Sequence, residues 1–147
     1  MNLYQAFKTN KDYERKGIEI EYGKNTKGED IVFKIARAGG SNNAFNKGME
    51  RATKPYRRQI QNGTLENSVA DSLYMGVFID TVLLGWEGVE DEQGNALAYN
   101  KENAKKVFTD LPDLFADLKE QSANMSLFRN EEQEADLGNF GTSSTTD

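Results

Sequence analysis

Apolar and polar residues alternate strictly along Ile18-Glu19-Ile20-Glu21-Tyr22, which is the period of a strand with one buried face. Asn25-Thr26-Lys27-Gly28 follows with turn chemistry, because Asn and Gly accept positive φ. Ile31-Val32-Phe33-Lys34-Ile35-Ala36 then reads as the returning strand, giving a β-hairpin over about residues 18–36. A lone hairpin is marginal in water, so its Ile18, Ile20 and Tyr22 face is expected to cover a helix.

The remaining pattern is helical. Leu3, Tyr4 and Phe7 make a short apolar start, and Thr9-Asn10 precedes a capped turn or short helix, Lys11 to Lys16, stopped by Gly17. After Gly39-Gly40, Ser41 or Asn42 can cap a helix from Asn43 to about Lys54, with Ala44, Phe45, Met49 and Ala52 inward. Pro55 interrupts it, and Asn62-Gly63 stops any continuation. Thr64 is the expected N-cap of a long central helix, Leu65 to Trp86, whose apolar residues surround it near the end. A loop with a small hairpin-like excursion at Gly94-Asn95 follows. Asn100 caps a helix over Lys101–Phe108, and Asp110 is the expected cap of another that carries Pro112 early. Leu111, Leu114, Phe115, Leu118, Ser122 and Met125 form its apolar stripe.

Composition changes texture after Arg129: an acidic run gives way to Gly141-Thr142-Ser143-Ser144-Thr145-Thr146-Asp147, too polar to order itself by burial. The expected fold class is therefore mainly α. It is a single helical domain over residues 1–129 with an N-terminal β-hairpin, followed by a flexible, disordered acidic and Ser/Thr tail over 130–147. Charge is uneven: residues 1–62 hold 13 basic and 7 acidic side chains, residues 63–147 hold 5 and 17. Either two partners or ordinary surface variation accounts for this. Met1-Asn2-Leu3-Tyr4-Gln5 does not read as a signal peptide, and no apolar run approaches membrane-spanning length. A soluble protein of the cytoplasm is the expectation.

Among 147 residues there is no cysteine and no histidine. That removes disulfides, thiolate chemistry, the Ser–His–Asp triad and the His-based zinc motifs. The acidic loop Glu90-Asp91-Glu92-Gln93-Gly94-Asn95 departs from the calcium-loop pattern at Gln93 and Ala96 and lacks the closing Glu. It reads as a solvated turn. Asp110, Asp113, Asp117 and Glu120 read as the wet face of an amphipathic helix. Gly39-Gly40 matches no phosphate-binding pattern. No catalytic residue, metal or cofactor is expected. Lys47, Arg51, Lys54 and Arg58 are spaced to share one helix side if the helix continues past Pro55, with Tyr56 and Arg57 beside them. Such a face can meet phosphates, an acidic partner, or this chain's own acidic half. Trp86 either anchors a partner or closes the core, the second being favoured.

Four segments carry a family resemblance: Lys34-Ile35-Ala36-Arg37-Ala38-Gly39-Gly40-Ser41-Asn42, Pro55-Tyr56-Arg57-Arg58-Gln59-Ile60, Leu84-Gly85-Trp86-Glu87-Gly88-Val89, and Leu111-Pro112-Asp113-Leu114-Phe115-Ala116-Asp117-Leu118 followed by Ala123-Asn124 and Leu127-Phe128-Arg129. In this order the chain resembles the tail assembly chaperones of long-tailed bacteriophages, over roughly residues 3–129. The resemblance implies a mainly helical, non-enzymatic protein of the host cell cytoplasm. It implies binding of the tape measure protein, which is kept soluble while the tail tube assembles, and absence from the finished tail. Contact with the tail tube protein through a longer frameshifted product, and self-association, belong to the same expectation. The family supplies no binding motif to carry over. The partner-binding candidates, Lys47, Arg51, Tyr56, Arg57, Arg58, Trp86, Met125 and Phe128, therefore come from their chemistry: a binder of amphipathic helices wants an apolar groove with charged rims, and Met adapts to varied partners. Phe115 and Leu118 fit the same groove but suit the core better. The alternatives are a nucleic-acid-associated phage protein using the basic face, with nucleic acid the weaker partner, and a structural tail completion protein.

Overall fold

The computed structural model describes residues 2–129. Two short helices open it, α1 (Leu3–Phe7) and α2 (Lys11–Lys16). Each has an Asn at its N-cap: Asn2 accepts from the Gln5 N–H, and Asn10 from those of Asp12 and Tyr13. Gly17, at φ 97°, ends α2 and admits the sharp turn into the sheet. Strands β1 (Ile18–Lys24) and β2 (Asp30–Ile35) form the hairpin at the expected place, with Ile20 opposite Phe33.

Helix α3 (Asn43–Thr53) is capped by Asn42 and passes through a 3-10 turn, Lys54–Tyr56, into α4 (Arg57–Asn62). Pro55 thus breaks the helix where its missing N–H requires. Phe45, Met49 and Ala52 are half-buried as expected, whereas Ala44 faces solvent. Helix α5 runs Asn67–Thr81. Thr64 does not cap it; its hydroxyl donates to the Gln59 carbonyl instead, and Glu66 stands at the cap position without a side-chain bond.

The mainly-α expectation is corrected here. The central helix ends at Thr81, and Leu83–Glu87 is a third strand, β3, completing an antiparallel sheet in the order β1-β2-β3. The architecture is α+β, a three-stranded sheet with helices packed on it. Pairing slips at Leu84, so Leu83 lies opposite Ile35 and Trp86 opposite Phe33. Leu83 and Trp86 therefore share a face three residues apart instead of two. The bulge removes the alternation that would have marked a strand.

Helix α6 (Lys101–Asp110) starts at its Asn100 cap as expected, and α7 (Pro112–Ala123) follows with Pro112 in its first turn. Asp110 does not cap α7: Leu111 holds that position, while Asp110 pairs with Lys106 at 2.8 Å. A 3-10 turn, Met125–Phe128, closes the described chain. The anticipated tail at 130–147 lies outside the described residues.

Aromatic rings fill the space between sheet and helices. Phe78 meets Phe115 edge-on at 5.3 Å, Phe108 stacks on Phe115 at 5.0 Å, and Phe33 contacts Trp86 at 5.6 Å. Full burial of each such ring contributes about 1.5–3 kcal/mol.

Candidate functional site

The segment Arg37 to Asn42 is a joint. The Glu14 carboxylate, 2% exposed, accepts from the Arg37 guanidinium and from the Ser41 hydroxyl at 2.9 Å. Burial pushes the Glu14 carboxyl up, but the Arg37 and Ser41 hydrogen bonds and the Arg37 charge outweigh it and hold the carboxyl below its ordinary value. Asn42, also buried, donates to the Arg37 and Thr81 carbonyls at 2.9 and 3.0 Å while capping α3. The Ala38 N–H reaches the Ser122 carbonyl at 2.9 Å. Gly40, at φ 55°, leaves no room for a β-carbon against Glu14 and Arg37. Gly40 thus serves packing and Gly39, at φ 124°, the turn, and the resemblance-bearing segment ties α2, β2, α3, α5 and α7 together.

The basic candidates form an exposed ridge. Lys47 and Arg51 lie on α3, Lys54 in the 3-10 turn, Arg57 and Arg58 on α4, all exposed, with Tyr56 half-buried among them. Among the described residues none of these five cations enters an ion pair.

The apolar candidates divide differently. Trp86 packs edge-on against Phe33 and Tyr99, and its indole N–H donates to the Leu97 carbonyl at 2.9 Å. It closes the core. Phe128 is fully buried, Phe115 and Leu118 nearly or wholly so, and Met125 is half-buried. The anticipated groove on the last helix is therefore occupied by the chain's own packing.

An apolar cleft opens elsewhere, between the sheet and the α6–α7 junction. It holds about 380 Å³ and is lined by Tyr22, Ile31, Phe33, Val89, Val107, Leu111 and Leu114, with Glu90 and Asp91 on its rim. Leu111, 53% exposed, stands at its mouth. Tyr22 is fixed there by donating to Asp117 at 2.5 Å, and burial first, then that bond and the Asp117 charge, push its phenol well up. Asp117 thus departs from the solvated row expected of it. Leu111 belonged to the apolar stripe in the sequence, but the cleft needs the sheet, and no local pattern announces it.

Two carboxylates of the acidic loop, Glu90 and Asp91, are held by hydrogen bonds. Glu90 accepts from the Thr26 N–H and hydroxyl at 2.8 and 2.6 Å, and Asp91 from the N–H groups of Gln93 and Asn95. Among the described residues no cluster of three Asp or Glu is able to hold a metal ion, and no helix is long and apolar enough to cross a membrane.

No curated protein matches the chain. No solved structure matches it. A protein-family model does match, over residues 40–139, and its description is YdaY prophage protein. That span runs from Gly40 of the joint through the basic ridge, β3 and the cleft-forming helices α6 and α7, and covers more than half of the chain; the chain belongs to the YdaY prophage protein family.

Proposed function

We propose that this prophage protein is a non-enzymatic tail assembly chaperone that binds the tape measure protein through the cleft at the α6–α7 junction. The observation that carries the reading is the cleft itself: apolar walls, Leu111 exposed at the mouth, and carboxylates on the rim. This is the chemistry that receives one apolar face of an amphipathic helix and favours basic flanking residues on it. The four resemblance segments and the prophage family support the same reading. The complex forms in the host cytoplasm, the client stays soluble, and the chaperone leaves before the tail is complete.

Co-expression with the tape measure protein of the same phage tests it. The expected outcome is a soluble complex that survives high salt and forms with a negative heat-capacity change. A tape measure protein that remains insoluble in the presence of the chaperone sinks the proposal.

A second reading rests on the exposed basic ridge, which suits the phosphate backbone of a nucleic acid. Its signature is affinity that falls steeply with salt, because each phosphate contact releases counterions.

A further inference from the structure

Strand β1 is the terminal strand of a sheet that runs β1-β2-β3. Its register with β2 is regular from Ile18 to Glu21, where Ile18, Glu19, Ile20 and Glu21 stand opposite Ile35, Lys34, Phe33 and Val32. Every second residue of a terminal antiparallel strand turns its N–H and C=O groups away from the partner strand. Among the described residues no backbone hydrogen bond from outside the hairpin reaches Ile18–Lys24. The opposite edge differs, because there the Leu83 carbonyl accepts from the Tyr99 hydroxyl at 3.0 Å. Open strand edges are commonly closed by proline or by a bulge. β1 has no proline, and its register shift comes only after Glu21, leaving the ladder before it regular.

The side chains along this edge define what fits it. Ile18, Ile20 and Tyr22 are half-buried against the core, and Glu19 and Glu21 are exposed on the other face. The sheet already shows the preferred neighbour of such a carboxylate row, since Glu19 lies opposite Lys34. A second copy of β1 fits poorly. Antiparallel pairing centred on Ile20 sets Glu19 opposite Glu21, and pairing centred on Glu21 sets that residue opposite itself. A one-residue slip avoids this only by mixing the apolar and polar faces.

We propose that the outer edge of β1 receives an extended segment of a partner protein, in which apolar residues alternate with Lys or Arg, as a fourth strand of the sheet. Main-chain bonds hold the segment, its apolar residues continue the face of Ile18, Ile20 and Tyr22, and its cations meet Glu19 and Glu21. The inference does not depend on the chaperone reading, since it concerns a strand edge and not the identity of the helical client.

The probe is the end-blocked peptide Lys-Val-Lys-Val-Lys-Val-Lys, titrated into the full chain and followed by amide resonances and hydrogen exchange. Saturable binding with slowed exchange at alternate amides of Ile18–Tyr22 is expected. The same peptide with Glu in place of Lys should bind about tenfold more weakly, and Glu19→Lys combined with Glu21→Lys should reverse that preference. Methylating the backbone nitrogens of the peptide's lysines and, separately, those of its valines should abolish binding in one case and spare it in the other, because only every second N–H of a strand faces its neighbour. Absence of binding, binding that survives both methylations, or shifts that bypass Ile18–Tyr22 overturn the proposal. So does slowed exchange at these amides on concentrating the chain alone, which assigns the edge to a second copy.

Discussion

The Glu14 joint and the α3–α4 ridge both concentrate charge, and the fold treats them in opposite ways. At the joint a carboxylate is taken out of water and every oxygen is met by Arg37 or Ser41. On the ridge five cations stand exposed without an ion pair among the described residues. Charge that is buried and matched specifies how the helices meet the sheet. Charge that is exposed and unmatched leaves the architecture alone and is free to act on something outside it. Leu111, at the mouth of the cleft, belongs with the ridge in this respect, being an apolar side chain that the core leaves exposed.

Mutations should separate the two kinds of region, and the largest effect is expected at the joint. Glu14→Ala leaves Arg37 without its partner and should cost about 2–3 kcal/mol, toward the low end for a broken buried pair because Arg37 keeps some access to water. Urea unfolding measures it. Gly40→Ala forces a β-carbon into a left-handed conformation against Glu14 and Arg37 and should cost about 1–2 kcal/mol in the same assay.

Acid should blunt the first effect. The folded-state pKa of Glu14 is lowered, so its contribution is fully present above the unfolded-state value and is lost as pH falls through the folded one. The stability advantage of the wild type over Glu14→Gln should therefore shrink below about pH 4. A difference that stays constant down through that range would remove the ion pair from the explanation.

The functional surfaces should behave in the reverse manner. Leu111→Asp is expected to change stability by less than about 0.5 kcal/mol, since the side chain is half in water. It should weaken client binding about tenfold, measured by titration calorimetry. Smallest of all, the combined change of Lys47, Arg51, Arg57 and Arg58 to Ala should leave both stability and salt-resistant client binding within about 0.5 kcal/mol of the wild type. A large loss of binding there would move the interface to the ridge.

The elements that could be read from the chain were those whose signals are local. The hairpin announced itself by alternation in Ile18 to Tyr22, and α2, α3 and α6 by the caps Asn10, Asn42 and Asn100. Strand β3 was hidden because the bulge at Leu84 put Leu83 and Trp86 on one face at a nearly helical spacing. Glu14 gave no signal, sitting among polar residues of a six-residue helix; only the return of Arg37 and Ser41 makes it a buried group. Of the site candidates, Lys47, Arg51 and Arg58 are exposed, but the single helix side that their spacing with Lys54 requires is broken by the 3-10 turn at Lys54–Tyr56. The cleft gave no local signal, since Tyr22, Val89 and Leu111 come together only once the sheet meets α6 and α7. Phe128 looked available in the sequence because what encloses it is distant along the chain: its carbonyl is bound by Asn10.

The most direct test is a calorimetric titration of a soluble helical fragment of the tape measure protein into the wild-type chain, Leu111→Asp, and the Lys47, Arg51, Arg57 and Arg58 alanine variant, at low and high salt. Binding that survives high salt, falls with Leu111→Asp and ignores the ridge variant is the predicted result. Binding that vanishes with salt, or that follows the ridge and not Leu111, would contradict the cleft as the client site.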